Sequence, residues 1–168
     1  RSDVSIINLD TAPTSVLVVL LPEIRGGVPD FEARTADPIP LAAGAQVTLT
    51  NILEVTFGLR NTKGALNVLS TNGAPLLVST RTYTIAPDGG TYGQDTFGVL
   101  VGGRAFVGGI AHDSFYRTNV GVFVPVVPGG SPVSFEVRVR AADGTEVGAG
   151  ELVFTTPGVI QRSLSTFD

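Results

Sequence analysis

The sequence predicts an all-β protein of antiparallel sheets, and three observations carry that reading. Apolar and polar residues alternate, β-branched side chains are enriched, and helical periodicity is almost absent. The 21 Gly and 11 Pro residues are spread among the apolar runs, so they punctuate short strands and do not make a linker. The opening stretch Arg1-Ser-Asp-Val-Ser-Ile-Ile-Asn8 returns, altered, as Arg117-Thr-Asn-Val-Gly-Val-Phe-Val124.

Runs bounded by Gly, Pro, Asn and Asp predict strands over residues 3–8, 15–21, 31–38, 46–51, 65–70, 75–85 and 91–100. A second series follows over 104–108, 118–124, 133–140, 146–154 and 159–164. The alternation is clearest over 134–140, where Phe135, Val137 and Val139 share one face while Glu136, Arg138 and Arg140 share the other. One buried and one wet face is the habit of antiparallel sheets. Asp-Gly in Ala142-Asp-Gly-Thr145 and in Pro87-Asp-Gly-Gly90 marks two hairpin turns. Residues 53–57 are the one stretch expected to make a helical turn.

Composition narrows the function classes. Hydrophobic residues make up 43% and charged residues 15%, which supplies a core and argues against disorder. A net charge of −4, with the 11 cationic side chains scattered, excludes the basic stripe that nucleic acid requires. The absence of Cys removes disulfides, thiolate zinc sites and a cysteine nucleophile. The longest apolar run, 16–21, is far short of the ~20 residues of a membrane helix.

The returning segment extends further. Residues 14–21 lie over 132–139, each a strand after a Pro-containing turn, and 41–50 lie over 154–163. A period near 115 (117 against 1, 154 against 41) suits one sandwich of ~100 residues plus a joint. The expected architecture is therefore an immunoglobulin-like antiparallel β-sandwich, one repeat plus the first half of a second.

Ser79-Thr-Arg-Thr-Tyr83, Gly89-Gly-Thr-Tyr-Gly-Gln94 and Phe106-Val-Gly-Gly-Ile110, followed by Phe115-Tyr-Arg-Thr-Asn-Val120, resemble a bacterial repeat family. Its members occur in tandem in secreted and surface proteins as immunoglobulin-like β-sandwiches. The resemblance covers nearly the whole chain. It implies a secreted or cell-surface location, no activity, and an opening strand at Arg104, so that residues 1–103 form the first module and 104–168 a partial second, which packs on the first or is completed by another subunit.

Candidate chemistry is sparse. His112-Asp-Ser114 has the residue types of a hydrolase triad, but consecutive residues do not reach the relay geometry, and no Gly-x-Ser-x-Gly elbow exists. A polar turn is the plainer reading. Asp88, Asp95 and Glu54 lack the spacing of an EF-hand loop, and Asp88 and Asp143 are explained by turns. Calcium at the joint near Asp113 is the metal reading left open. Gly102-Gly-Arg104 and Val107-Gly-Gly-Ile110 lack the strand–turn–helix context of a phosphate cradle. No catalytic, cofactor-binding or metal-binding residue is assigned, and no cofactor is expected.

Two surface readings remain. Arg81, Tyr83, Tyr92 and Tyr116 are candidates for a sugar-stacking platform, with Arg81 stacked on Tyr92 across a hairpin and sharing a face with Tyr83. Against it stand a plain sheet-surface or core-edge cluster and the absence of Trp. The leading expectation is a non-enzymatic structural or adhesive module that self-associates with other copies or adjacent modules, by strand or sheet-edge contact, into a surface assembly or filament. Its candidate strands carry Val4, Ile6, Phe106, Val120 and Val122, and a proline at Val122 is expected to weaken assembly. A carbohydrate- or protein-binding module is the alternative.

Overall fold

The computed structural model describes residues 1–98, 105–111, 115–129 and 131–167. Strand accounts for 53% of the described residues and helix for 4%, an all-β composition. By its internal contacts it divides into two compact units. The first comprises Arg1–Leu20, Arg34–Thr62 and Leu66–Val101; the second comprises Leu21–Ala33, Lys63–Ala65 and Gly102–Asp168.

The first strand, β1 (Ser2–Asn8), alternates strictly, burying Val4, Ile6 and Asn8. β2 (Thr14–Pro22) buries Thr14, Val16, Val18 and Leu20 in the same rhythm, and its last residues, from Leu21, belong to the second unit. There β3 (Ile24–Arg25) and β4 (Val28–Pro29) form a small hairpin. Its Gly26-Gly27 turn has φ of 57° and 83°, a positive-φ pair that the twist of two-residue hairpins favours and that Gly adopts freely. Glu23, nearly buried, holds the base: its carboxylate accepts from Arg25 at 2.6 Å and its carbonyl from the Asp30 amide at 2.9 Å.

The predicted strand 31–38 is reduced to β5 (Arg34–Thr35), followed by the separate β6 (Ile39–Leu41). Both pair with β2. Asp37-Pro38 lies between them, where proline has no N–H to give a ladder. β7 (Gln46–Leu49) stops short of Asn51, whose φ of 46° turns the chain into the single helical turn α1 (Ile52–Val55). β8 (Gly64–Ser70), β9 (Leu76–Ile85) and β10 (Thr91–Phe97) complete the series. One sheet has the order β10-β9-β1-β7, and in the other β2 lies between β8 and the β5/β6 arm. Asn8 closes β1: its side-chain amide donates to the carbonyls of Ala12, Ala42 and Leu41, and its oxygen accepts from the Asp10 amide.

The predicted strand 104–108 is absent over the described residues 105–108, which form no ladder; Gly109 follows with φ 69°. Arg104 lies outside the described residues. The second unit consists of β11 (Asn119–Val124) paired with β14 (Gly158–Ser163), and β12 (Val133–Arg140) paired with β13 (Glu146–Phe154). The Asp143-Gly144 turn joins β12 to β13 as the sequence predicts. Gly144 has φ 88°, and the Asp143 carboxylate accepts from the Thr145 amide at 2.9 Å.

The core of this unit gathers Ile24, Val124, Val139, Leu152, Phe154, Ile160, Leu164 and Phe167. Ile24 reaches it because position 158 is glycine: a Cβ there would lie 2.7 Å from the Ile24 Cδ1 atom. Phe154 and Val139, for which cover by residues 1–103 or by another subunit is the expectation, are 0% and 9% exposed. The cover comes from the unit itself, Ile24 included.

Candidate functional site

Arg81 and Tyr83 lie on β9, with the Arg81 guanidinium 5.2 Å from the centre of the Tyr83 ring. Arg81 also donates to the Thr91 hydroxyl at 2.8 Å. Asp3 of β1 and Asp95 of β10 flank Arg81 in register, on the same face of the sheet. The Asp3 carboxylate accepts from the Asn51 amide at 2.8 Å and from the Tyr83 hydroxyl at 3.5 Å. Tyr83 lies opposite Gly93, where a Cβ would sit 2.6 Å from that of Tyr83, so the glycine is required for this approach. The cluster therefore braces three strands and the entry to α1.

Tyr92 is not part of it. It pairs with Thr84, one residue out of phase with the Tyr83–Gly93 pair, so it projects from the opposite face, 72% exposed. The expected stacking of Arg81 on Tyr92 is replaced by stacking on Tyr83. Tyr116, 64% exposed, belongs to the second unit.

The candidate self-association strands separate in the same way. Val4 and Ile6 are fully buried, and β1 is hydrogen-bonded on one side to β7 and on the other to β9, so it offers no edge. That corrects its expected place at a junction. Phe106 is 89% exposed and lies outside any strand. Val120 and Val122 are half-buried on β11, which among the described residues has β14 as its one neighbour. β12 likewise has β13 alone.

Which groups face the open side of β11 follows from one hydrogen bond. The Leu164 amide donates to the Thr118 carbonyl at 2.9 Å. In an antiparallel strand the N–H and C=O of one residue point to one side and alternate along the chain. Val120, Val122 and Val124 therefore bond to β14, whereas Asn119, Gly121 and Phe123 point to the open side. The same rule applied to the Ala141 amide, which donates to the Thr145 carbonyl, leaves Ser134, Glu136 and Arg138 on the open side of β12. Sequence reasoning missed this because it identifies strands but not which alternate residues a neighbour has taken.

His112, Asp113 and Ser114 lie outside the described residues. Among the described residues no three His, Asp or Glu side chains gather as metal ligands. No helix there is long and apolar enough to cross a membrane. Compared with protein-family models, with curated proteins and with solved structures, the chain has no match.

Proposed function

We propose that this chain is a non-enzymatic structural or adhesive module of an exported bacterial protein, self-associating through sheet-edge contact. In this reading the chain is one immunoglobulin-like sandwich repeat followed by the first half of a second. Paired registers support the repeat. Val4 faces Leu49 and Ile6 faces Val47 in the first unit; Val120 faces Arg162 and Val122 faces Ile160 at the matching places of the second. Thr14 faces Leu41 and Val16 faces Ile39, as Val133 faces Phe154 and Phe135 faces Leu152. Thr14 thus matches Val133, one residue beyond the match drawn from the sequence, and the buried faces then coincide.

One observation carries the proposal. Val4, Ile6, Val16 and Val18 are 0% exposed, whereas their counterparts Val120, Val122, Phe135 and Val137 are only partly buried. In the first unit β8 and β9 add to the strands that bear these residues; among the described residues of the second unit no strand takes those places. Partly bare apolar strands with open edges favour association. Sedimentation of the purified chain across concentrations tests it: a mass that rises with concentration is expected, and a monomer throughout the micromolar range counts against it.

A second reading, carbohydrate binding, is favoured by Tyr92, a large and exposed ring on a sheet. Glycan-array binding lost in Tyr92→Ala and Tyr116→Ala is the result that would establish it.

A further inference from the structure

Resting on the half-repeat reading above, we infer that the open edges of β11 and β12 form one docking site for a partner's strand–turn–strand segment patterned like β8–β9 of this chain. The first unit is the template. β8 lies beside β2, the Thr71 amide donates to the Ser15 carbonyl at 2.9 Å, and the chain turns at once into β9, which lies antiparallel to β1. A single short connection thus feeds both sheets. In the second unit β12 and β11 stand for β2 and β1, and each has its corresponding side open among the described residues.

The template specifies the guest. Leu76, Val78 and Thr80 face Asn8, Ile6 and Val4. On β11 the same strand sets Leu76 opposite the buried Val124, Val78 opposite the half-buried Val122 and Thr80 opposite the half-buried Val120. The guest's hydrogen bonds come from the alternate residues. In the template the Tyr83 amide donates to the Arg1 carbonyl and the Leu9 amide to the Pro75 carbonyl, so Leu77, Ser79 and Arg81 bond to β1. Val78 faces the other way, its carbonyl accepting from the Gly98 amide. On β11 the matching partners are Phe123, Gly121 and Asn119. This is β-augmentation: main-chain bonds supply affinity and alternate side chains supply specificity. The second sheet is entered the same way, with guest Thr71 donating to the Ser134 carbonyl.

The test titrates the full chain with a synthetic peptide of residues 64–85. Saturable one-to-one binding is expected, with slowed amide exchange at Gly121 and Phe123. A peptide N-methylated at Leu77 and Ser79 is expected to bind at least tenfold more weakly, while one N-methylated at Val78 and Thr80 binds as the parent does. Gly121→Pro in the protein should weaken binding equally. A Cβ at position 121 meets no atom closer than 4.0 Å, and the amide it removes faces outward, as proline on an edge strand requires. The peptide series leaves the protein unaltered, so it decides the matter even where the proline variant misfolds. No saturable binding to the folded chain, or equal binding of all N-methylated peptides, would overturn the inference. Self-association through some other surface would leave the proposed function standing while this site failed.

Discussion

The edge of one aromatic ring meets the face of the other between Phe135 and Phe154, with centroids 6.0 Å apart and ring planes at 83°. Phe154 is fully buried in the second unit's core and Phe135, only partly buried, packs against it, so the pair joins β12 to β13. Phe154→Ala leaves a large cavity and should cost about 3–5 kcal/mol. Phe135→Ala should cost clearly less, because part of its surface is already wet. Urea unfolding followed by a probe in β12 measures both; equal losses would contradict the assignment of an incompletely covered face.

Asn8 gives a pH-dependent prediction. Its amide donates to three carbonyls, so Asn8→Asp sets a carboxylate oxygen against acceptors in a fully buried site. The folded-state pKa of the new carboxyl should rise. The variant is then closest to the parent below the usual carboxylate range and loses stability as pH rises through the raised value. A loss of about 1–3 kcal/mol at neutral pH is expected, the desolvation penalty of an unmatched buried group. Denaturation at pH 4 and pH 7 checks the sign.

Gly158→Ala should loosen residues 21–33. The new Cβ would lie 2.7 Å from the Ile24 Cδ1 atom and 2.8 Å from the Pro22 carbonyl oxygen. Overpacking of this kind costs about 1–3 kcal/mol. Faster tryptic cleavage at Arg25 is the expected readout, with Gly121→Ala, which has room for its Cβ, as the silent control.

The Asp143 turn adds an acid-labile element. Hydrogen bonds from Thr145 hold the Asp143 carboxyl below the usual carboxylate range. A depressed pKa contributes stability that is present above the unfolded-state value and lost as pH falls through the folded one. An NMR titration should show the Asp143 midpoint below that of a free aspartate, with the Thr145 amide shifting in step.

Much of this was legible in the sequence. Period-two alternation locates β1, β2, β12 and β13, and Asp-Gly places the β12–β13 turn. Three features were hidden by short range. The β3–β4 hairpin has two-residue strands, too brief for periodicity to register, although Gly26-Gly27 signals the turn. Matching proline turns set residue 14 over 132, but pairing sets it over 133, and a one-residue slip exchanges the faces of a strand. Tyr92 and Arg81 fall on opposite faces because the Ala86–Gly90 turn fixes the register, which composition does not reveal.

Residue-resolved hydrogen exchange along β11, on the dilute chain, tests the central claim most directly. If β14 is its one neighbour, the amides of Val120, Val122 and Val124 exchange slowly while those of Gly121 and Phe123 exchange fast, an alternation that fades as concentration rises and the edge is taken. Uniform protection of all these amides at high dilution would show that the edge is already occupied within a single chain, and would contradict the account.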